Sequence, residues 1–159
     1  MPHSPSQAPE FTWDVSEWLN SPPLSLAELR GKVVFIEVFQ MLCPTCVTHA
    51  IPQAKLVSQL VHDDQLAVIG LHSVFEHHES MNPDALKVFC AEFGVTFPVG
   101  VDRPSVDGVL PATMKQWRLQ GTPTTILLDR AGRVRQTWFG KLDDLVLGVW
   151  LGTLLSEDA

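Results

Sequence analysis

Two long apolar runs stand out along the chain, at residues 33–39 and 66–71. Both are rich in aliphatic residues, and the first contains a single charged residue, Glu37. Runs that are apolar at nearly every position are typical of parallel strands covered on both faces. We therefore predict two buried strands, each followed by a helix: residues 44–62 after the first strand, and residues 82–94 after the second.

Asparagine, proline and glycine set the limits of these helices. Asn82 before Pro83 predicts a helix start, because asparagine caps the first turn and proline fits the first helical position. Gly94 predicts the end of the same helix. In the earlier helix Pro52 predicts a kink, because proline lacks the N–H and its ring collides with the preceding turn.

The second half of the chain predicts, in order, a short strand, a short helix, a strand–turn–strand unit and a last helix, at residues 97–101, 114–119, 124–139 and 142–155. One face of the last helix is expected to carry Leu142, Leu145, Val146 and Val149. Alternating strands and helices imply a parallel core, to which the closing hairpin adds an antiparallel edge. The predicted fold class is α/β, with a central mixed β-sheet flanked by helices.

The N-terminal part of the chain has a weaker pattern. Residues 1–10 are rich in proline and serine, and we expect them to form a disordered tail ahead of a single domain at residues 11–157. The segment 11–20, which contains Trp13 and Trp18, fits either a short hairpin or an extended lead-in.

Composition limits the class of protein. The chain has 159 residues, and 45% of them are hydrophobic, which suits a real core and excludes global disorder. Its net charge of −7 argues against a nucleic-acid partner, whose binding site would be basic. No apolar run reaches the roughly 18 residues of a membrane span, and the N-terminus lacks the features of a secretory signal. We expect a cytoplasmic monomer without membrane insertion; a mature periplasmic or other extracytoplasmic domain is the alternative if a leader has been removed.

Cys43 and Cys46 enclose a Pro-Thr pair directly after the first apolar run, where a buried strand gives way to a helix. Cysteines at this spacing can close a small disulfide and open it again, and a helix N-terminus stabilises the nucleophilic thiolate. A Gly-Thr-Pro-Thr sequence at 121–124 stands before another β-rich run. Together the two motifs predict thiol–disulfide chemistry, with a redox-active disulfide and no other cofactor. The alternatives are a buried or inert cysteine pair and half of a zinc site, but no second CxxC or HxxxH follows to complete the zinc ligands.

The combination resembles the thioredoxin superfamily, in particular its TlpA/ResA-like and DipZ-like branch. Four segments carry the resemblance: the cysteine pair and residues 26–34 (LAELRGKVV), 121–124 (GTPT) and 129–133 (DRAGR). The resemblance extends from about Phe11 to about Leu155. It implies a thioredoxin-like fold with a short N-terminal extension, and a redoxin that acts as a thiol–disulfide oxidoreductase.

Three positions depart from the pattern of this family. Leu42 stands where the family usually has tryptophan before the first cysteine, and His49 stands where many TlpA-like members have glutamate. The helix proline, Pro52, lies one residue later than usual. We expect these changes to affect the partner surface and the pKa values of the thiols, and to leave the fold unchanged.

The resemblance also implies roles for individual residues. Cys43 is expected to attack a disulfide in a protein partner, and Cys46 to resolve the mixed disulfide. Pro123 resembles the cis-proline that sits beside the disulfide in this family, with an ordinary trans proline as the alternative. The backbone of Thr122 is then expected to pair with an extended substrate chain.

Glu37 matches the buried acid that the family places beneath the cysteines. A carboxylate in an apolar strand is costly unless it has a task or a partner. We expect Glu37 to accept the proton of Cys46 and to have a raised pKa. The alternatives are a strand edge turned to water and a structural ion pair with Lys32 or an arginine.

Four residues next to the cysteines are expected to adjust the reaction. Pro44 and Thr45 lie between the thiols and are expected to tune the reduction potential. Leu42 and Phe39 are candidates for binding an unfolded or extended protein substrate, because apolar residues beside the site suit that task. Burial in the core is the alternative for Phe39.

Residues 72–82 are expected to form a long loop. Its histidines, His72, His77 and His78, suggest a metal cluster with two nearby glutamates, but nothing fixes a ligand geometry, and we favour a solvated loop without metal. Cys90 occupies an apolar helical position and is expected to be a buried core thiol.

The favoured function is reduction of protein disulfides, with a disulfide-bearing protein as substrate and an upstream dithiol system as electron donor. A cytoplasmic setting favours this direction. One alternative is a peroxiredoxin-like thiol peroxidase, although the Pro-x-x-x-Thr-x-x-Cys pattern of such enzymes is absent. The other alternative is a non-catalytic metal-binding or interaction module that uses the cysteines and histidines.

Overall fold

Six strands form one mixed sheet in the computed structural model, which describes residues 11–106 and 108–158. The strands are β1 (Val15–Leu19), β2 (Val33–Phe39), β3 (Leu66–His72), β4 (Val99–Asp102), β5 (Thr124–Leu128) and β6 (Val134–Phe139). The tail predicted at residues 1–10 lies outside the described residues.

The spatial order of the strands is β1-β4-β3-β2-β5-β6. Strands β2, β3 and β4 are parallel to one another. On the other side of β2 the sheet continues with β5, which is antiparallel to β2, and then with β6, which is antiparallel to β5. The predicted parallel core and antiparallel closing hairpin are therefore confirmed. At the other edge, β1 pairs antiparallel with β4, so the extended alternative for residues 11–20 is right and the hairpin is wrong.

The described residues form four α-helices beside the sheet: α1 (Ile51–Leu60), α2 (Pro83–Glu92), α3 (Ala112–Gln116) and α4 (Asp144–Ser156). The Asn82 side chain accepts a hydrogen bond from the Ala85 N–H, as its predicted role as N-cap requires. Single 3₁₀ turns occupy Ala27–Leu29 and His78–Ser80. Among the described residues, no helix is long and apolar enough to span a membrane.

The helix that follows Cys43 is irregular ahead of Pro52. Pro44 and Thr45 open it, Cys46–Ala50 form one wide π turn, and α1 continues from Ile51. In a regular helix the ring of Pro52 would collide with the preceding turn. The wider turn takes up this misfit, so the irregularity predicted from Pro52 lies in the segment that contains Cys46.

Apolar side chains cover both faces of the sheet. On one face Phe35 and Phe39 of β2 belong to a core that includes residues of α1, α2 and α4. On the other face Ile36 belongs to a second core that is closed by aromatic residues from the N-terminal segment and the end of α3. There Phe11 stacks on Trp117, with ring centroids 4.2 Å apart.

The buried face of α4 differs from the prediction. Leu147, Leu151 and Leu154 are buried, whereas Leu145 and Val149 are exposed, as is Val146. The helix is apolar almost all the way round, so periodicity alone does not choose a face. Leu142, which precedes the helix, is buried as expected.

Candidate active site

Strand β2 leads directly into the cysteine pair. Beyond its last residue the chain makes a tight turn, in which the Cys43 N–H donates to the Gln40 carbonyl over 3.2 Å. The helix begins immediately afterwards at Pro44, whose fixed φ suits a first helical position and whose missing N–H has no helical partner to lose. Cys43 therefore lies at the N-terminus of the helix and Cys46 within its first turn.

Cys43 is the accessible thiol of the pair. It is half-buried, and its Sγ accepts a hydrogen bond from the Cys46 N–H over 3.3 Å. Its thiol can donate to the Thr122 carbonyl oxygen, 3.6 Å away. The N–H of a helix start stabilises negative charge on this sulfur, so Cys43 is suited to act as the thiolate nucleophile.

Cys46 has the opposite surroundings. Its side chain is 0% exposed and belongs to the core between the sheet and the helices. Burial, and after it the hydrogen bond with Cys43, raises the pKa of the Cys46 thiol well above its usual range. At neutral pH Cys46 therefore stays protonated, and it needs a proton acceptor before it can attack.

Glu37 lies in the same core as Cys46. Its neighbours two residues away, Phe35 and Phe39, both face the helix side of the sheet, and side chains alternate along a strand, so Glu37 faces that side too. The carboxyl is 0% exposed. Both alternatives, a strand edge in water and an ion pair with Lys32 or an arginine, are wrong for the described part of the chain.

In the part of the chain that the structure describes, a single hydrogen bond holds the Glu37 carboxyl. Thr125 lies directly opposite on β5, and its hydroxyl donates to Oε2 over 2.9 Å. Oε1 is the only buried side-chain polar atom without a partner among the described residues. Burial raises the pKa of Glu37 well above its usual range, which the Thr125 hydrogen bond partly opposes and the nearby Cys43 reinforces.

The loop at 121–124 closes the site over Cys43. The Thr122–Pro123 peptide bond is cis, so the trans alternative is wrong. The Pro123 carbonyl accepts from the Gly140 N–H over 2.8 Å, and the Thr124 hydroxyl donates to the Gly121 carbonyl over 2.7 Å. These bonds fix the Thr122 backbone beside the Cys43 sulfur; its pairing with a substrate chain stays a prediction.

The two apolar candidates for substrate contact have different positions. Leu42 is 56% exposed directly before Cys43, which leaves it available to a partner. Phe39 is 0% exposed, and its ring packs in the core near Phe89. The prediction that Phe39 binds substrate is therefore wrong. The tuning roles of Pro44 and Thr45 stay predictions.

The histidines of the segment 72–82 do not form a metal-binding cluster. His72 belongs to β3 and is buried, so the predicted loop begins one residue later, while His77 and His78 are exposed. Within residues 11–106 and 108–158, no group of three or more His, Cys, Asp or Glu could hold a metal ion.

Two other residues that the sequence analysis named lie outside this segment. His49 points to the start of α4, with Nε2 2.6 Å from the Leu142 carbonyl. Cys90 is buried, as predicted, and burial raises its pKa to about 11.

Two residues beside the site, Gln40 and Thr125, escaped the sequence analysis, which considered a third, His72, only as a member of a histidine-rich loop. Thr125 stands in a β-branched run, and only the pairing of β5 with β2 places it opposite Glu37. The polar residues Gln40 and His72 directly follow or end apolar strands. That position at the C-terminal edge of parallel strands is the signal that could have identified them.

Comparison with known proteins agrees with this geometry. The Redoxin family model matches residues 4–144. A thiol-disulfide isomerase from Corynebacterium glutamicum is 58% identical in sequence, and its structure superposes with a TM-score of 0.91 over 95% of this chain and 98% of that chain. The thioredoxin-like superfamily protein SPOA0173 is 50% identical, with a TM-score of 0.90 over 93% of this chain and 96% of that one.

A longer relative shares the same region. Protein DipZ of Mycobacterium tuberculosis is 32% identical over 146 residues, which is 90% of this chain and 20% of DipZ. The chain thus spans about a fifth of the length of that relative. The chain belongs to the redoxin family and is a TlpA/ResA-like thiol–disulfide oxidoreductase of the thioredoxin superfamily.

Proposed function

We propose that the chain reduces disulfides of protein substrates through Cys43 and Cys46. The observation that carries the proposal is the contrast between the two thiols: Cys43 is half-buried with a helix N–H on its sulfur, and Cys46 is fully buried. This contrast supports attack by Cys43 and resolution by Cys46.

In the first step the Cys43 thiolate attacks one sulfur of the substrate disulfide. A bond forms between Cys43 Sγ and that sulfur, the substrate S–S bond breaks, and the other substrate sulfur leaves as a thiolate that takes a proton from water. The result is a mixed disulfide between Cys43 and the substrate.

In the second step Cys46 attacks the Cys43 sulfur. The carboxylate form of Glu37 takes the Cys46 proton. Because the pKa of Glu37 is raised, the difference between the pKa values of the carboxyl and the Cys46 thiol is smaller, and the transfer is less unfavourable. The Cys43–Cys46 disulfide forms, and the second substrate sulfur leaves as a thiolate and is protonated. An upstream dithiol then reduces the pair, and the two electrons pass from this donor to the substrate.

The roles of the two thiols are tested with Cys43→Ser and Cys46→Ser, each of which removes one thiol. Incubated with a protein disulfide such as that of insulin, Cys46→Ser is expected to accumulate a mixed disulfide that gel electrophoresis detects without reductant. Cys43→Ser is expected to form none and to lose turnover. Equal trapping by both variants would contradict the assignment.

The direction of the reaction is tested by the reduction potential of the pair, measured against glutathione buffers. The proposal sets the protein in a reducing compartment, the cytoplasm, and expects a potential near the roughly −270 mV of thioredoxin. A potential near the roughly −120 mV of DsbA would contradict the reducing direction and leave thiol–disulfide exchange intact.

Leu42 is proposed to contact the substrate protein. Leu42→Ser is expected to raise KM several-fold for a protein disulfide and to leave turnover of glutathione disulfide unchanged, because a small substrate makes no contact with this side chain. Leu60→Ser is the matched control, since Leu60 is also exposed but ends α1 on another part of the surface. An equal effect of both substitutions on KM would contradict the proposed contact between Leu42 and the substrate.

A further inference from the structure

His72 lies buried beneath the loop that carries Cys43, and the steps proposed above do not use it. It ends β3 directly opposite Phe39, the last residue of β2, and is 1% exposed. Its ring lies against the Phe39 ring, with centroids 5.1 Å apart. The Ser73 N–H then donates to the Phe39 carbonyl, which keeps the two strand ends together.

The loop between β2 and Cys43, residues 40–42, makes hydrogen bonds with the end of β3 and the residues that follow it. The Met41 N–H donates to His72 Nε2 over 3.2 Å, and the Phe75 N–H donates to Oε1 of Gln40 over 3.1 Å. Met41 and Gln40 are themselves buried, so water does not replace these partners. Buried N–H groups are almost always paired, and Met41 obtains its partner from His72.

The contact defines the form of the imidazole. A nitrogen that accepts a hydrogen bond carries no proton, so the ring is neutral with its proton on Nδ1. Burial favours the same neutral form and lowers the pKa of His72 to about 3. An apolar residue at this position would fill the core and would leave the Met41 N–H without an acceptor.

We propose that His72 is a positioning residue: through the Met41 N–H it fixes the loop 40–42 and so the orientation of the Cys43 sulfur towards a substrate disulfide. The inference deepens the proposed function and rests on it for its effect on turnover. Disulfide attack requires the three sulfur atoms to align, so a small displacement of Cys43 lowers the rate.

The test compares His72→Phe, which keeps a ring of similar shape against Phe39, with His72→Gln, whose Oε1 can reach the place of Nε2. His72→Phe is expected to lower kcat/KM for a protein disulfide about tenfold or more, since misplacement of about 1 Å costs up to a hundredfold. His72→Gln is expected to recover most of the loss. Cys90→Ala, a buried change on α2 in the same core, is the control for lost stability and should stay within about twofold of the wild type.

Two measurements are independent of disulfide reduction. Nitrogen NMR of the imidazoles, with the His72 signal identified by its loss in His72→Gln, is expected to show a neutral ring protonated on Nδ1 at pH 7. The Met41 amide is expected to exchange with solvent faster in His72→Phe than in the wild type. The rate at which iodoacetamide alkylates Cys43 is expected to differ from that of the wild type in the same variant.

The outcomes separate the inference from the proposed function. Any one of three results would overturn the positioning role. These are a ring protonated on Nε2, an unchanged exchange rate of the Met41 amide in His72→Phe, and an equal loss of kcat/KM in His72→Phe and Cys90→Ala. If the wild type reduces no protein disulfide while the Met41 amide and Cys43 alkylation respond as expected, the proposed function fails and the coupling of His72 to Cys43 stands. If His72→Phe does not fold, the NMR signal of the wild type and the activity of His72→Gln decide.

Discussion

Replacement of Glu37 by glutamine is expected to make the folded protein more stable relative to the wild type as the pH rises. The structure gives the reason: the carboxyl is fully buried, one hydrogen bond from Thr125 holds Oε2, and Oε1 has no partner within residues 11–106 and 108–158. Burial raises the pKa of Glu37 in the folded state, whereas in the unfolded chain the pKa is about 4.3.

The sign of the effect follows from these two pKa values. Below both of them the carboxyl is protonated in either state and contributes no pH dependence. Between them the folded protein holds a proton that the unfolded chain has lost, so the free energy of unfolding falls by about 1.4 kcal/mol for each pH unit. Above the folded-state pKa the loss is complete. Glutamine does not titrate, so Glu37→Gln removes this slope.

The substitution also has an effect that does not depend on pH. The glutamine amide places an N–H₂ group where Oε1 has no partner, and a buried donor without an acceptor costs about 1–3 kcal/mol. The informative quantity is therefore the change of the stability difference with pH, and not its value at one pH. In a chain of this size the slope corresponds to roughly 3–6 °C in Tm per pH unit.

The assay is urea unfolding of reduced wild type and Glu37→Gln at pH 5, 6, 7 and 8. The difference in unfolding free energy is expected to grow in favour of Glu37→Gln as the pH rises from 5, because only the wild type loses the proton of a buried Glu37. Groups that titrate alike in both proteins cancel in the difference. A difference that stays constant with pH would show that Glu37 titrates alike in both states and would refute the reasoning. The same variant is expected to resolve mixed disulfides at least tenfold more slowly, by loss of its proton acceptor.

Three further outcomes are expected. Thr125→Val removes the one hydrogen bond to Glu37 and should raise the pKa of that carboxyl further, which carbon NMR of the labelled carboxyl would follow; an unchanged titration would contradict the contact. Iodoacetamide at pH 8 should modify native reduced protein at Cys43 alone, with Cys46 and Cys90 reacting only after unfolding in guanidinium, as peptide mass spectrometry would show. Burial acts to raise the pKa of Asp129, but hydrogen bonds from the arginines at 133 and 135 outweigh it and lower the pKa. The Asp129 carboxylate thus stabilises the fold above about pH 4, and this stabilisation is lost as the pH falls further. Asp129→Asn should therefore lower the free energy of unfolding, measured in urea, by about 1–3 kcal/mol at pH 7 and by less at pH 3.

The sequence predicts the strands well where burial on both faces leaves a continuous apolar run. The run at 33–39 gives the bounds of β2, and Glu37 is conspicuous in it as the one charge. The pattern is less informative where a helix is apolar all the way round, as the wrong face assigned to α4 shows. There the choice depends on which side packs on the sheet, and periodicity does not contain that information.

Residues that act on the site from a neighbouring strand are also hard to predict. Thr125 and His72 lie far from Cys43 in sequence, and each reaches the site through the register of a strand pair. The sequence places His72 at the start of a solvated loop, but in the structure it is the alternating continuation of Leu66, Val68 and Gly70 and faces the core. Local pattern identifies the two thiols and the acid, and only the assembled sheet identifies their partners.

In the proposed mechanism the burial of Cys46 and the burial of Glu37 serve the same step, the resolution of the mixed disulfide. A thiol sealed in the core is protected from oxidants and alkylating agents, but it cannot lose its proton to water. In the proposed mechanism Glu37 is the proton acceptor within the same core, and because burial raises its pKa, the carboxylate is a stronger base towards the thiol than an exposed carboxylate would be. We therefore propose that the buried Glu37 carboxyl, which destabilises the fold at high pH, is needed for the reaction and is not a defect of the core. For this reason the variant that stabilises the fold at high pH is expected to be the one that resolves the mixed disulfide slowly.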